Sequence, residues 1–270
     1  MKLERVSILV RKELLELRRS PATLAPAAIM SAAALAVAFC ITIVIPAITG
    51  DRLSADRDLL GPVERALDHV PAMRDLPREA ATQSFFFQQF LVLFILVPVS
   101  GAMSLAAHSV VGEKQGRSLE PLLATPITTL ELLLGKVVAS LLPALAVEAL
   151  ALAVYFVGIW SLAAPGVLGV LASARTLLIV VVLGPLAALV ALQLAVMVSS
   201  RVNDPRGAQQ IGVVVILPVI GVLVAQITGL LWLTTELILL VSVLLLAGWG
   251  GLMAVAVRLF ARETILTRWK

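Results

Sequence analysis

Charge, aromatic rings and cysteine are all scarce in this 270-residue chain. Only 14% of the residues are charged and 5% are aromatic, whereas a soluble domain carries about 25% charge. That deficit excludes a soluble globular protein, a disordered chain and a fibrous repeat. A nucleic-acid binder is excluded as well: the pI is near 9.7, but the net charge is only +4. The single cysteine, Cys40, lies in an apolar run and cannot found a disulfide framework. His69 and His108 are the only histidines, and no His-Glu-x-x-His, Gly-x-Ser-x-Gly or catalytic metal set occurs. All six aspartates lie outside the long apolar runs, which excludes a membrane aspartyl-protease pair. A P-loop is missing too. Around Gly135-Lys136 the motif would need Gly at position 130 and Ser or Thr at 137, where the chain has Leu130 and Val137.

What is abundant is apolar sequence: 60% of residues are hydrophobic and the mean hydropathy is +1.03. A hydrocarbon core of roughly 30 Å takes about 20 helical residues. Charge-free stretches of that size predict six membrane helices, near 22–49, 84–111, 137–160, 176–199, 211–231 and 237–257. The runs are continuous blocks rather than polar–apolar alternations, which excludes a β-barrel. The expected fold is an all-α integral membrane protein, one transmembrane domain over 1–270. Nine charges precede Ser20 and the apolar run behind them is too long for a signal-peptide core, so the first span reads as an uncleaved anchor. Lys and Arg split 15 to six between alternate sides, which predicts both termini in the cytoplasm. The segment 51–82 then lies outside. It mixes five basic residues with seven acids, and Leu53, Leu59, Leu60, Val63 and Leu67 recur at roughly helical spacing, so short amphipathic helices are expected there.

Residues 1–20 read as an interfacial helix. Leu3, Val6, Val10, Leu14 and Leu17 share one face, while Arg5, Lys12 and Arg19 recur every seven residues on another. Such a helix lies along an anionic leaflet with its basic residues toward phosphates, either as a plain anchor or as a platform for a cytoplasmic partner. Ser20-Pro21 ends it.

The loop 113–136 is the most informative stretch. Gly116 breaks the preceding helix, Ser118 can cap a short new one, and Pro121 fits its first turn. Leu119, Leu122 and Leu123 share a face of that helix, and Thr125-Pro126 ends it. Thr128 and Glu131 then have capping-box spacing and open the next helix. The leucine knob either packs on its own spans or docks in a groove of another protein.

Two motifs now carry a resemblance. Arg-Lys-Glu-Leu-Leu-Glu-Leu-Arg-Arg-Ser-Pro over residues 11–21 resembles the start of the type-2 permease family of ATP-binding-cassette (ABC) exporters. Glu-x-x-Gly-x-x-Leu-Glu-x-Leu-Leu-x-Thr-Pro, ending in Leu-Leu-Leu-Gly-Lys, resembles that family's segment after the second span. The resemblance implies that residues 1–20 are a connector helix and that 113–126 contain the coupling helix. Glu113, Gly116, Leu119, Glu120, Leu123 and Pro126 match the family pattern, with Leu122 on the same apolar face. It further implies a bacterial inner-membrane exporter subunit that pairs with a second permease chain across its first and fifth spans. A separate cytoplasmic ABC ATPase would bind ATP and Mg, and this chain would carry neither cofactor nor catalytic residue. The rival readings are a membrane subunit of an ABC complex with a mechanical or regulatory role, and an embedded membrane enzyme. Membrane lipids are expected partners and nucleic acid is not.

Inside the spans, Glu148 stands alone as an ionisable residue. It is either a polar site on the translocation path or one end of a helix–helix hydrogen bond. Gln193 and Gln226 are expected to hydrogen-bond between helices, and His108 to sit at the interface. Ala28, Ala32 and Ala36 form a small-residue stripe on span one that lets another helix approach closely, with Gly212 and Gly221 doing the same on span five.

Overall fold

The computed structural model describes residues 3–50, 52–55, 57–116, 127–199 and 213–260. All regular elements among them are helical. An amphipathic α1 (Leu3–Arg19) ends at Ser20, whose backbone leaves the helical region, and Pro21 starts the next helix, as its fixed φ favours. That helix, α2 (Pro21–Thr49), stops at Gly50 in the left-handed conformation. Next come α3 (Arg57–His69) and the long α4 (Arg78–Glu113), which continues to Gln115. α5 (Thr129–Leu162) follows, then a turn at Ala164-Pro165-Gly166, the short α6 (Val167–Leu171) and α7 (Ala174–Ser199). The last two are α8 (Val213–Ile227) and α9 (Thr235–Leu259).

Five of these helices, α2, α4, α5, α7 and α9, are long and apolar enough to cross a membrane. The expected fifth span corresponds to α8, described over 15 residues. That described length rises about 22 Å, so five helices among the described residues reach a full crossing, and the start of the expected fifth span, residues 211 and 212, lies outside them. The spans also run longer than the charge-free stretches predicted. α4 begins at Arg78 rather than near 84, and α5 at Thr129 rather than near 137. In α5 the reason is that Glu131 and Lys136 are buried within the protein, so charges that interrupt the apolar run do not end the helix. The predicted amphipathic helix in 51–82 is α3, which buries Val63 and Ala66.

α4 is the axis of the bundle. Its apolar window is 89% buried, against 22% for α2 and 17% for α9. Phe85, Phe86, Phe87, Phe90 and Phe94 put most of the chain's phenylalanine into this one helix. Tyr155 of α5 sits among them: its hydroxyl donates to the Phe87 carbonyl at 2.6 Å, and its ring lies 4.8 Å from Phe94 and 5.8 Å from Phe39 of α2. Such aromatic pairs add about 0.5–1.5 kcal/mol each beyond burial. Gly158 makes room for Phe39, because a Cβ there would collide with the ring. Gly158→Leu should therefore expel Phe39 from the aromatic cluster. The expected cost is about 1–3 kcal/mol, read as a lower unfolding temperature of the purified protein in detergent.

α2 buries Ala27, Ser31, Ala34 and Ala38 against the bundle. The stripe of Ala28, Ala32 and Ala36 therefore faces outward, and Gly221 of α8 is exposed as well. Among the described residues, packing within this chain uses neither the Ala28–Ala32–Ala36 stripe nor Gly221, and Gly212 lies outside them.

Candidate functional site

Where the loop 114–128 joins the bundle, charge is concentrated in a way an apolar protein can tolerate only if it is paired. α1 lies along the start of α5, and Gly135 permits the contact: a Cβ there would come within 2.9 Å of the Leu9 Cβ. Beside it the Lys136 ammonium, only 2% exposed, is held by Glu113 Oε2 at 2.8 Å and Glu13 Oε1 at 3.0 Å. It also donates to Ser109 Oγ at 2.6 Å. Lys12 donates to Glu113 Oε1 at 2.7 Å and lies 3.4 Å from Glu16, one turn further along α1. Glu113, at the end of α4, thus carries a lysine on each oxygen.

The other end of the loop is fixed by a reciprocal cap. Thr128 Oγ1 accepts from the Glu131 amide at 3.2 Å, and Glu131 Oε2 accepts from the Thr128 amide at 3.0 Å. Glu131 is itself buried, and Arg5 of α1 approaches it at 3.7 Å. Both ends of the loop are therefore tied to α1, one through Glu113 and one through Glu131.

The electrostatics agree with this geometry. Burial alone would lower the pKa of Lys12, but the hydrogen bond and charge of Glu113, with Glu13 and Glu16, raise it. Burial alone would raise the pKa of Glu13, yet the charges of Lys136 and Lys12 and hydrogen bonds from Lys136 and Ser109 lower it. Each group is held in its charged form by its neighbours.

Sequence reasoning assigned Arg5 and Lys12 to lipid phosphates. In the structure Arg5 pairs with Glu131 and Lys12 with Glu113, while their side chains remain 31% and 36% exposed. Arg19 closes α1, and its side chain lies outside the described residues. Gly116 ends α4, its amide donating to the Gly112 carbonyl at 2.9 Å. Leu119, Glu120, Leu122, Leu123 and Pro126 lie outside the described residues. Glu13, Lys136 and Ser109 were missed. Their only signal in the sequence is opposite charge near the ends of neighbouring helices.

Glu148 is 4% exposed and packs toward α7, where a Cβ on Gly184 would come within 3.1 Å of its Oε1. A π-helical turn, Ile179–Leu183, precedes Gly184. Glu148 Oε1 and both amide atoms of the buried Gln193 have no hydrogen-bond partner among the described residues. Gln226 does bond between helices, accepting from Arg175 of α7 at 3.3 Å. His108 is exposed near the ion cluster, beside Glu13, Glu16 and Ser109.

Among known proteins, no curated protein matches the chain. The family model described as ABC-2 family transporter protein matches residues 62–253, from α3 into α9 and through the whole 113–136 loop. That family supplies the membrane component of ABC transport systems and is generally not itself catalytic. The paired loop ends, the apolar helices and this match over most of the sequence lead to one conclusion: the chain belongs to the ABC-2 transporter permease family.

Proposed function

We propose that this chain is the transmembrane subunit of a bacterial inner-membrane ABC exporter, a single permease domain over 1–270. Two permease chains form the path, and cytoplasmic ATPase subunits, which bind ATP and Mg, drive it. ATPase closure presses on the loop that holds Glu113, Gly116, Leu119, Glu120, Leu122, Leu123 and Pro126, and the spans respond. The observation that supports this reading is the ion-paired junction at both ends of that loop. A lever must be rigid where it joins the body it moves. Lys136, Glu113 and Glu13 lock α4, α5 and α1 together there, and Glu131 does so from the far side. The outward-facing Ala28–Ala32–Ala36 stripe and Gly221 favour a second permease copy against α2 and α8. Both termini are taken as cytoplasmic from the distribution of Lys and Arg.

The test is purification from the native membrane in mild detergent with identification of co-purifying chains. A stoichiometric ABC ATPase is expected. Purification without any ATPase, from a membrane in which the chain is active, would remove the reading.

A further inference from the structure

At the end of the bundle far from the loop, a cation meets no acid among the described residues. Arg175 lies at the start of α7. Its Nη1 is 3.4 Å from Gln88 Oε1 of α4, and its Nη2 is 3.3 Å from Gln226 Oε1 of α8. The guanidinium carbon lies 4.5 Å over the ring of Trp232. Both hydrogen bonds are long and go to neutral amides. No carboxylate reaches ion-pair distance of Arg175 among the described residues. Two donors are left over. Among the described residues, Arg175 Nε is buried without a partner, and so is Nε2 of Gln226, a residue 0% exposed. Buried donors are almost always satisfied, and a buried charge is costly unless it is paired and hydrogen-bonded.

Beneath this cluster lies an apolar cavity of about 350 Å³ between α4, α7, α8 and α9. Its walls include Val92, Leu183, Ala187, Val222, Leu233 and Leu245. The cluster lies about one helical turn from the cavity lining. Val92 is one turn along α4 from Gln88, Val222 is one turn along α8 from Gln226, and Leu233 follows Trp232. Along α7 the lining runs from Leu183 to Leu194, a rise of about 16 Å. Glu148 is not part of it.

A cationic head with spare donors above a narrow apolar slot fits one class of molecule. We infer that this chain binds a single-chain anionic amphiphile, with its carboxylate or phosphate at Arg175 and Gln226 and its chain in the slot. The binding rests on this geometry alone; its role as transported cargo rests on the permease reading as well.

The experiment titrates the purified full-length protein with lysophosphatidate and, separately, with a monoacylglycerol of the same chain, which has no charge. Bound ligand is counted by native mass spectrometry. Wild type is expected to bind one lysophosphatidate per chain and to prefer it by at least about tenfold, as a charge-assisted contact requires. Arg175→Gln should erase the preference, Arg175→Lys should keep part of it, and Ala187→Trp should weaken both ligands by filling the slot. Equal affinity of wild type for the two ligands would overturn the inference. So would an Arg175→Gln protein that keeps the preference, or an Ala187→Trp protein that binds both as wild type does. If Arg175→Gln does not fold, the comparison of ligands on wild type and Ala187→Trp still decides. Because no ATPase is present, a failed titration leaves the permease reading intact. With the ATPase added, ATP-dependent loss of the bound ligand identifies cargo, and unchanged occupancy identifies a resident lipid.

Discussion

Lys136→Met should undock α1 from the bundle. The substitution removes the charge that Glu13 Oε1 and Glu113 Oε2 share at 3.0 and 2.8 Å, and the donor to Ser109. Two carboxylates, with side chains 10% and 5% exposed, then lose the ammonium they share. Breaking a buried ion pair by removing one partner costs about 3–5 kcal/mol, chiefly because the survivor keeps its desolvation penalty. A soluble domain of ordinary stability would barely survive that loss. Here the apolar helices can still insert, so the effect should concentrate on α1. Limited proteolysis should cut within Leu3–Arg19 in the mutant and spare it in wild type. The unfolding temperature in detergent should fall. Adding Glu13→Gln and Glu113→Gln to the same background should recover most of the loss, because the unpaired charges are then gone. A Lys136→Met protein as protease-resistant as wild type would mean that the network is decorative.

Local chemistry was legible in the sequence, and long-range pairing was not. The Thr128–Glu131 cap, the break at Ser20-Pro21 and the amphipathic helix before the second span each need only neighbours within a few residues. All three are present in the structure. The ends of α4 and α5 were misjudged because a charge was taken as the edge of a span. Lys136 is charged, yet it is buried by partners 27 and 123 residues away in sequence. The pairing of Lys12 was missed for the same reason: Glu113 lies 101 residues from it. Arg175 counted only as a loop charge in the topology. Its place above an apolar slot depends on four helices meeting, which no single stretch of sequence encodes. For the coupling loop, the reading of Leu119, Leu122 and Leu123 still rests on their spacing and on the family resemblance.

Substituting Leu119 and Leu123 together by Asp should cost the protein its motor while leaving its spans unchanged. Leucines at the spacing of one helical face, in a segment expected in the cytoplasm, gain stability only by burial, about 1.5–3 kcal/mol for each fully buried side chain. Two aspartates in an apolar groove forfeit that gain and add the penalty of unpaired charge. The combined loss lowers the affinity for the ATPase by at least about a hundredfold. Glu120→Lys should weaken docking far less, since rim charges mainly tune association rates. The ion-paired base of the loop, from Glu113 to Lys136, is untouched by either change. The deciding measurement is the amount of ATPase recovered per permease in a pull-down from membranes, with permease-dependent ATP hydrolysis measured on the same samples. The double mutant should insert at wild-type levels, retain almost no ATPase and show no stimulated hydrolysis. A double mutant that recovers as much ATPase as wild type and couples its hydrolysis equally well would contradict the assignment of this loop as the transmission element.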